Sequence, residues 1–163
     1  MILSNLFYLI WRMKRMNHLE VLKKIVAGEL PGAPVAEVLG FNVTEVGVGR
    51  VVVEIDATER LHNPMGTLHG GILCDIADAA MGLAFATTLA EEELFTTMEI
   101  KLNFLKPIYK SRLRAEGKLI KKGSSVGLLE CHVYDEKQSL VAHSTSTCMI
   151  LKGNPTGKRL RIE

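Results

Sequence analysis

Residues 62 to 84 read HNPMGTLHGGILCDIADAAMGLA, and this stretch holds the residues best suited to chemistry. Two aspartates, Asp75 and Asp78, fall in an otherwise apolar segment that follows His69, Gly70 and Gly71. A helix starting at the glycines would present unpaired backbone N–H groups, and glycine lets a substrate approach them closely. An amide of Gly70 or Gly71 could then hold a developing oxyanion, a contact typically worth about 3–4 kcal/mol in a transition state. A carboxylate shielded from water gains pKa and basicity, which suits a general base or a carboxylate nucleophile. Asp75 lies in the second turn, where an aspartate often just complements the positive helix end. Asp78 is a turn further in, so the functional reading falls on it.

Placed at 100° steps, Ile72, Leu73, Ile76, Ala80 and Leu83 share one helix face, expected to pack on a sheet. Asp75, Asp78, Ala79, Gly82 and Ala86 share roughly the opposite face, with Met81 and Phe85 beside them. That second face lacks Lys, Arg, Glu and Gln, so it is not expected to stand in water. A second subunit is expected to cover it and leave a narrow slot. Met65, Met81 and Phe85 are candidates to line a pocket there, although ordinary packing accounts for them equally well.

The elements that must position these residues are legible from their periods. Residues 18 to 28 have helical spacing and close at Gly28. ELPGAP breaks the chain, and Val35 to Leu39 fit one short turn. From Phe41 the period becomes two, and Gly47-Val48-Gly49 separates the arms of a hairpin. The chemistry-bearing helix is expected over about residues 70 to 89. Four strand-like segments follow. In the first, Met98, Ile100, Leu102 and Phe104 are expected on one face, with Thr97, Glu99, Lys101 and Asn103 on the other. Lys121-Lys122-Gly123-Ser124 and Asp135-Glu136-Lys137-Gln138 are expected turns. The order predicts an α+β fold, an antiparallel sheet packed on one central helix.

The 62–84 stretch resembles the signature of hotdog-fold acyl-CoA thioesterases, in the phenylacetate-degradation (PaaI-like) branch. EIKLNFLKP resembles that branch's following strand, and the element order matches over roughly residues 33 to 151. The resemblance implies a hotdog fold, a curved antiparallel sheet wrapped around one long helix. It implies hydrolysis of an acyl-CoA to acid and CoA by homodimers with shared active sites, commonly paired into homotetramers. It makes Asp78 the catalytic carboxylate and Gly70 the amide that polarises the thioester carbonyl, with Gly71 lining the same approach. Asn63 would position substrate or water, and His69 would touch substrate or hold the loop. Thr97 would touch the attacking water, or Thr96 given the length of LAEEELFTT. The CoA phosphates would lie near some of Lys106, Lys110, Arg112, Arg114, Lys121 and Lys122, with Gly123 and Ser124 offering backbone N–H groups.

The rest of the sequence narrows the classes. A chain of 163 residues suits one domain. Its 47% hydrophobic content and net charge of +2 allow a real core and argue against disorder. So small a basic excess does not indicate a nucleic-acid partner. Cys74, Cys131 and Cys148 are far apart, odd in number and set in apolar segments, so reduced, buried thiols in a cytoplasmic protein are expected. No His/Cys pair has ligand spacing, so no metal is expected, and no cofactor beyond the CoA of the substrate. The apolar run Ile2 to Trp11 is too short to span a bilayer. Its basic residues follow it, unlike those of a secretory signal. Residues 1 to 17 are therefore expected to be an extension, and residues 18 to 163 a single domain. GSSVG at 123–127 fits a serine-hydrolase motif, but that motif needs a following helix; a strand pattern follows, so Ser125 is read as part of a turn. A dehydratase would show a His-Phe-Pro context, which is missing around His69. A non-catalytic acyl-CoA-binding module would give no reason for Asp78.

Overall fold

The computed structural model describes residues 17–91 and 93–152. The expected extension, apart from Asn17, and the polar tail lie outside the described residues. Asn17 belongs to the first helix, α1 (His18–Val26), because its side chain caps the Glu20 N–H at 2.9 Å. A short second helix, α2 (Pro34–Leu39), starts on proline and ends at Gly40, whose φ of 83° is left-handed. The hairpin arms are β1 (Phe41–Gly47) and β2 (Arg50–Ala57), joined through Val48-Gly49 as expected. The long helix α3 covers Gly70–Ala86, three residues shorter at its C-terminal end than its apolar pattern suggests. The remaining strands are β3 (Glu93–Phe104), β4 (Ser111–Lys122), β5 (Val126–Tyr134) and β6 (Leu140–Lys152). Ser125 sits in the β4–β5 connection with a strand after it, as the turn reading requires.

All six strands form one antiparallel sheet in the order β1-β2-β4-β5-β6-β3, curved around α3 as in the hotdog fold. β1 and β3 are therefore the edges. The core lies between the concave sheet face and α3, where Ile76, Ala80, Met81, Phe85, Val53, Leu113, Leu129 and Val133 lose nearly all solvent exposure. No helix among the described residues is long and apolar enough to cross a membrane.

Two helix-face expectations need correction. Leu73, Ile76 and Ala80 are buried, but Ile72 and Leu83 are only half-buried, while Ala77, Met81, Ala84 and Phe85 are fully inside. Met81 and Phe85, at 0% exposure, are core residues. The opposite face is also partly covered by the same chain. Gly82 and Ala86 are buried, and a methyl on Gly82 would come within 3.0 Å of the Phe95 ring on β3. A helical wheel gives a residue's azimuth but not the arc that a curved sheet encloses. What stays partly open is a stripe with Gly71, Cys74, Asp75, Asp78 and Ala79. Cys131 and Cys148 are buried as expected, but Cys74 on this stripe is only partly so; all three are free thiols. Burial pushes the Cys131 thiol up to about 12.

Away from α3, the β5–β6 turn is pinned by Asp135, which is 6% exposed. Its carboxylate accepts from Lys106 Nζ at 2.6 Å and from the Ser139 and Lys137 N–H groups at 2.8 and 3.0 Å. The Lys106 ammonium foremost, then these amides, holds Asp135 below the usual carboxylate range. A carboxylate whose folded pKa is depressed stabilises the fold above its unfolded pKa, and that contribution is lost as pH falls toward the folded value. The wild-type Tm is thus expected to drop as pH passes below about 4. Asp135→Asn should narrow the Tm difference between neutral and acid pH, as thermal unfolding at both would show.

Candidate active site

The loop before α3 is built by Asn63. Its Oδ1 accepts from the Met65 and Thr67 N–H groups at 2.9 and 3.3 Å, and its Nδ2 donates to Thr67 Oγ1 at 2.9 Å. Gly66, at φ 77°, completes the turn. Asn63 is thus spent largely on folding the loop that leads to the helix. The loop is tied down by Leu68 N–H to Ile108 O at 2.7 Å and His69 N–H to Leu61 O at 2.8 Å. Met65 stands at its tip and is 87% exposed.

His69 is the N-cap of α3. Its Nδ1 accepts the Gly71 N–H at 2.9 Å, so the ring holds the loop and the helix start together. Accepting there requires an unprotonated Nδ1 and leaves Nε2 as the ring's other nitrogen. The bond also occupies the Gly71 amide, which leaves Gly70 as the candidate donor. Among the described residues the Gly70 N–H has no acceptor. Gly70 lines a cavity of about 440 Å³ with Asn63, Leu68, Phe104, Lys106 and Ile108. A methyl at Gly70 would lie 2.9 Å from the Phe104 ring, so the absence of a side chain is what lets that ring come so close to the helix start. In the sequence Phe104 reads only as a strand-face residue.

Asp78 is half-buried on the open stripe, and its Oδ1 accepts from Thr97 Oγ1 at 2.9 Å. The expected alternation of β3 is wrong at this point, for an identifiable reason. The β3–β6 register shifts between Thr97 and Glu99, so Met98 sits in a bulge and is 58% exposed instead of facing inward with Ile100. Phe95 and Thr97 turn toward α3 before the bulge, and Ile100 and Leu102 after it. The bulge thereby re-aims Thr97 at Asp78. Thr96 is exposed and points away, so Thr97 is the threonine that meets Asp78. Cys148 Sγ lies 3.9 Å from Thr97 Oγ1, and burial raises that thiol and keeps it protonated. Neighbouring Asp75 is raised by partial burial first and by the Asp78 charge second, with His69 acting the other way.

Gly70 and Asp78 are not brought together within one chain. They are eight positions apart on one helix, which separates them by about 12 Å along the axis. The basic residues are also dispersed. Arg112 pairs with Glu54, Arg114 with Glu45, Glu54 and Glu116, and Lys106 with Asp135. Lys122 donates to Thr88 O at 2.6 Å and reaches Glu93 at 3.6 Å. The Gly123 N–H closes the hairpin on Val126 O at 2.7 Å and is not free for a phosphate. Lys110, Lys121 and Ser124 are exposed and have no side-chain ion pair or hydrogen bond among the described residues. The Lys121–Ser124 turn lies by the C-terminal end of α3, through the Lys122–Thr88 bond, and not by Gly70.

With this geometry in place, comparison with known proteins is specific. The family model of the thioesterase superfamily matches residues 65–142, from the HGG loop through the Asp78 helix and into β6. A Saccharolobus solfataricus protein named "Putative esterase SSO2140" is 38% identical over 114 residues, 70% of this chain and 81% of that one. The 1,4-dihydroxy-2-naphthoyl-CoA hydrolase of Listeria monocytogenes is 29% identical over 116 residues, 71% of this chain and 94% of that one. Among solved structures, Escherichia coli PaaI, from the phenylacetic acid degradation operon, has the same fold. Its TM-score is 0.74 at 20% identity, covering 83% of this chain and 97% of PaaI. Fold, motif region and relatives agree that the chain belongs to the thioesterase superfamily and is a thioester hydrolase of the hotdog fold.

Proposed function

We propose that the protein hydrolyses acyl-CoA thioesters at a site shared between two copies of the chain, with Asp78 as its catalytic carboxylate. The observation that carries this reading is the half-buried Asp78 carboxylate held by Thr97 on an otherwise apolar helix. The same-chain Gly70 amide is about 12 Å away along the helix, too far for both groups to touch one carbonyl. A second copy meeting the open stripe can supply the missing half. The β3 edge favours such pairing, since a twelve-residue edge strand with exposed Leu94, Met98 and Phe104 presents unpaired backbone groups. The name of the Listeria relative, a naphthoyl-CoA hydrolase, supports a CoA thioester as substrate.

In this mechanism the thioester carbonyl oxygen docks on the Gly70 N–H, where negative charge on the tetrahedral intermediate is stabilised. Asp78 of the partner subunit takes a proton from water as it attacks the carbonyl carbon. Alternatively its oxygen attacks directly, giving a mixed anhydride that water then cleaves. In either case the C–S bond breaks and CoA leaves as the thiolate. Thr97 holds the carboxylate in place, and exposed Lys121 is a candidate to meet CoA phosphates.

The test is release of free CoA thiol from a panel of aromatic and medium-chain aliphatic acyl-CoAs by the purified chain. Turnover of at least one class is expected; binding without thiol release across the panel would refute the proposal. Thr97→Val removes the bond to Asp78 and keeps the shape. A loss in kcat of about tenfold is expected, equivalent to about 1.4 kcal/mol. KM should change little, and Thr97→Ser should retain most of the activity.

A further inference from the structure

On the convex face of the sheet, away from α3, three polar side chains converge without partners. His132 on β5 stands directly opposite His143 on β6. Their rings are 4.8 Å apart between centroids and tilted by 53°. Glu130, two residues before His132, shares its face, because the intervening Cys131 is buried inward with Leu129 and Val133. Ala142 and Ser144 are likewise buried, which turns His143 outward. One ligand atom from each of Glu130, His132 and His143 lies within 4.8 Å of the others, and all three residues are half-buried.

These groups differ from other charged groups on the sheet. Arg50 and Arg114 tie up Glu45 and Glu116, Arg112 ties up Glu54, and Thr147 donates to Glu99. By contrast, the side chains of Glu130, His132 and His143 have no hydrogen bond or ion pair among the described residues. Lys118 stands opposite Glu130 on β4 but forms no ion pair with it. Tyr134 stacks on His132, with centroids 6.2 Å apart and planes 16° apart, which restrains that ring.

We propose that Glu130, His132 and His143 bind a borderline divalent transition-metal ion, Zn²⁺ being the type case. Two imidazoles and a carboxylate are the ligand set such ions take, with bonds of about 2.0–2.2 Å. Tetrahedral bonds of that length set ligand atoms about 3.4 Å apart, so closing from the observed spacing needs only side-chain adjustment. Three protein ligands leave one position for water or for a group from another molecule. The sheet separates this site from Asp78, so the ion takes no part in the proposed hydrolysis, and the inference does not depend on that reading.

The test uses the full chain stripped with a chelator and titrated calorimetrically with Zn²⁺, with Co²⁺ absorption reporting coordination. Wild type is expected to take up a single ion per chain and to gain Tm with Zn²⁺. His132→Ala and His143→Ala should each weaken binding at least about tenfold, the lower range for loss of a mere supporting partner. Glu130→Gln should weaken it as well. All three should keep the wild-type circular dichroism spectrum. No uptake by wild type, or uptake unchanged in all three variants, would overturn the proposal; the latter would place the ion elsewhere on the chain.

Discussion

Asp78→Asn is expected to lower kcat for acyl-CoA hydrolysis by about 10²–10⁴-fold, the range for removing a positioned general base. The substitution is nearly isosteric. The amide oxygen of asparagine still accepts the Thr97 hydroxyl proton, so the 2.9 Å contact and the packing of α3 on β3 should survive. What is lost is the negative charge and the capacity to take a proton or form an acyl bond. The effect should therefore appear in kcat and in kcat/KM, with Tm close to wild type. Asp75→Asn, one turn nearer the helix start and exposed, is the matched control and should cost much less. Steady-state thiol release by the two variants decides the matter. If Asp78→Asn hydrolyses at the wild-type rate, Asp78 is not the catalytic carboxylate.

The second large effect concerns stability. Gly117 on β4 lies where strand and central helix touch backbone to backbone. A methyl there would overlap the Ala80 carbonyl group and come within 2.6 Å of the Met81 nitrogen. Backbone cannot rotate aside as a side-chain tip can, so either α3 or β4 must move, and overpacking of this kind costs about 1–3 kcal/mol or more. Gly117→Ala is expected near the upper end, since its neighbours in the β2–β4–β5 ladder are paired and buried. For a domain of this size about 3 kcal/mol corresponds to a Tm lower by about 6–12 °C. Gly70→Ala is the contrasting case, because the methyl would meet only the end of the exposed Phe104 ring, which can swing away. Equal stability of Gly117→Ala and wild type in thermal unfolding would contradict the packing described.

The two predictions draw on different kinds of information. Asp78 stood out in the sequence because a carboxylate inside a run of small apolar residues conflicts with its surroundings, a conflict visible within one helical turn. Nothing local marks Gly117, whose neighbour lies on α3, far away in sequence. The hairpin at Val48-Gly49 and the turns around Gly123 and Gln138 were legible because turn chemistry resides in a few adjacent residues. Met98 was misplaced because alternation assumes an unbroken ladder, and the break depends on how β3 meets β6.

By itself, the sequence determined the kinds and order of elements, the placement of the HGG motif at a helix start and the singling out of Asp78, since periodicity and capping are local properties. The tertiary structure decided that Thr97 and not Thr96 meets Asp78, and that Asn63, His69 and Gly123 are largely committed to local hydrogen bonds. It also set His132 beside His143, eleven positions later, by the β5–β6 register. Such contacts depend on strand pairing and on the arc of the sheet, which join residues remote in the chain. The fixed rise of the helix holds Gly70 and Asp78 of one chain apart.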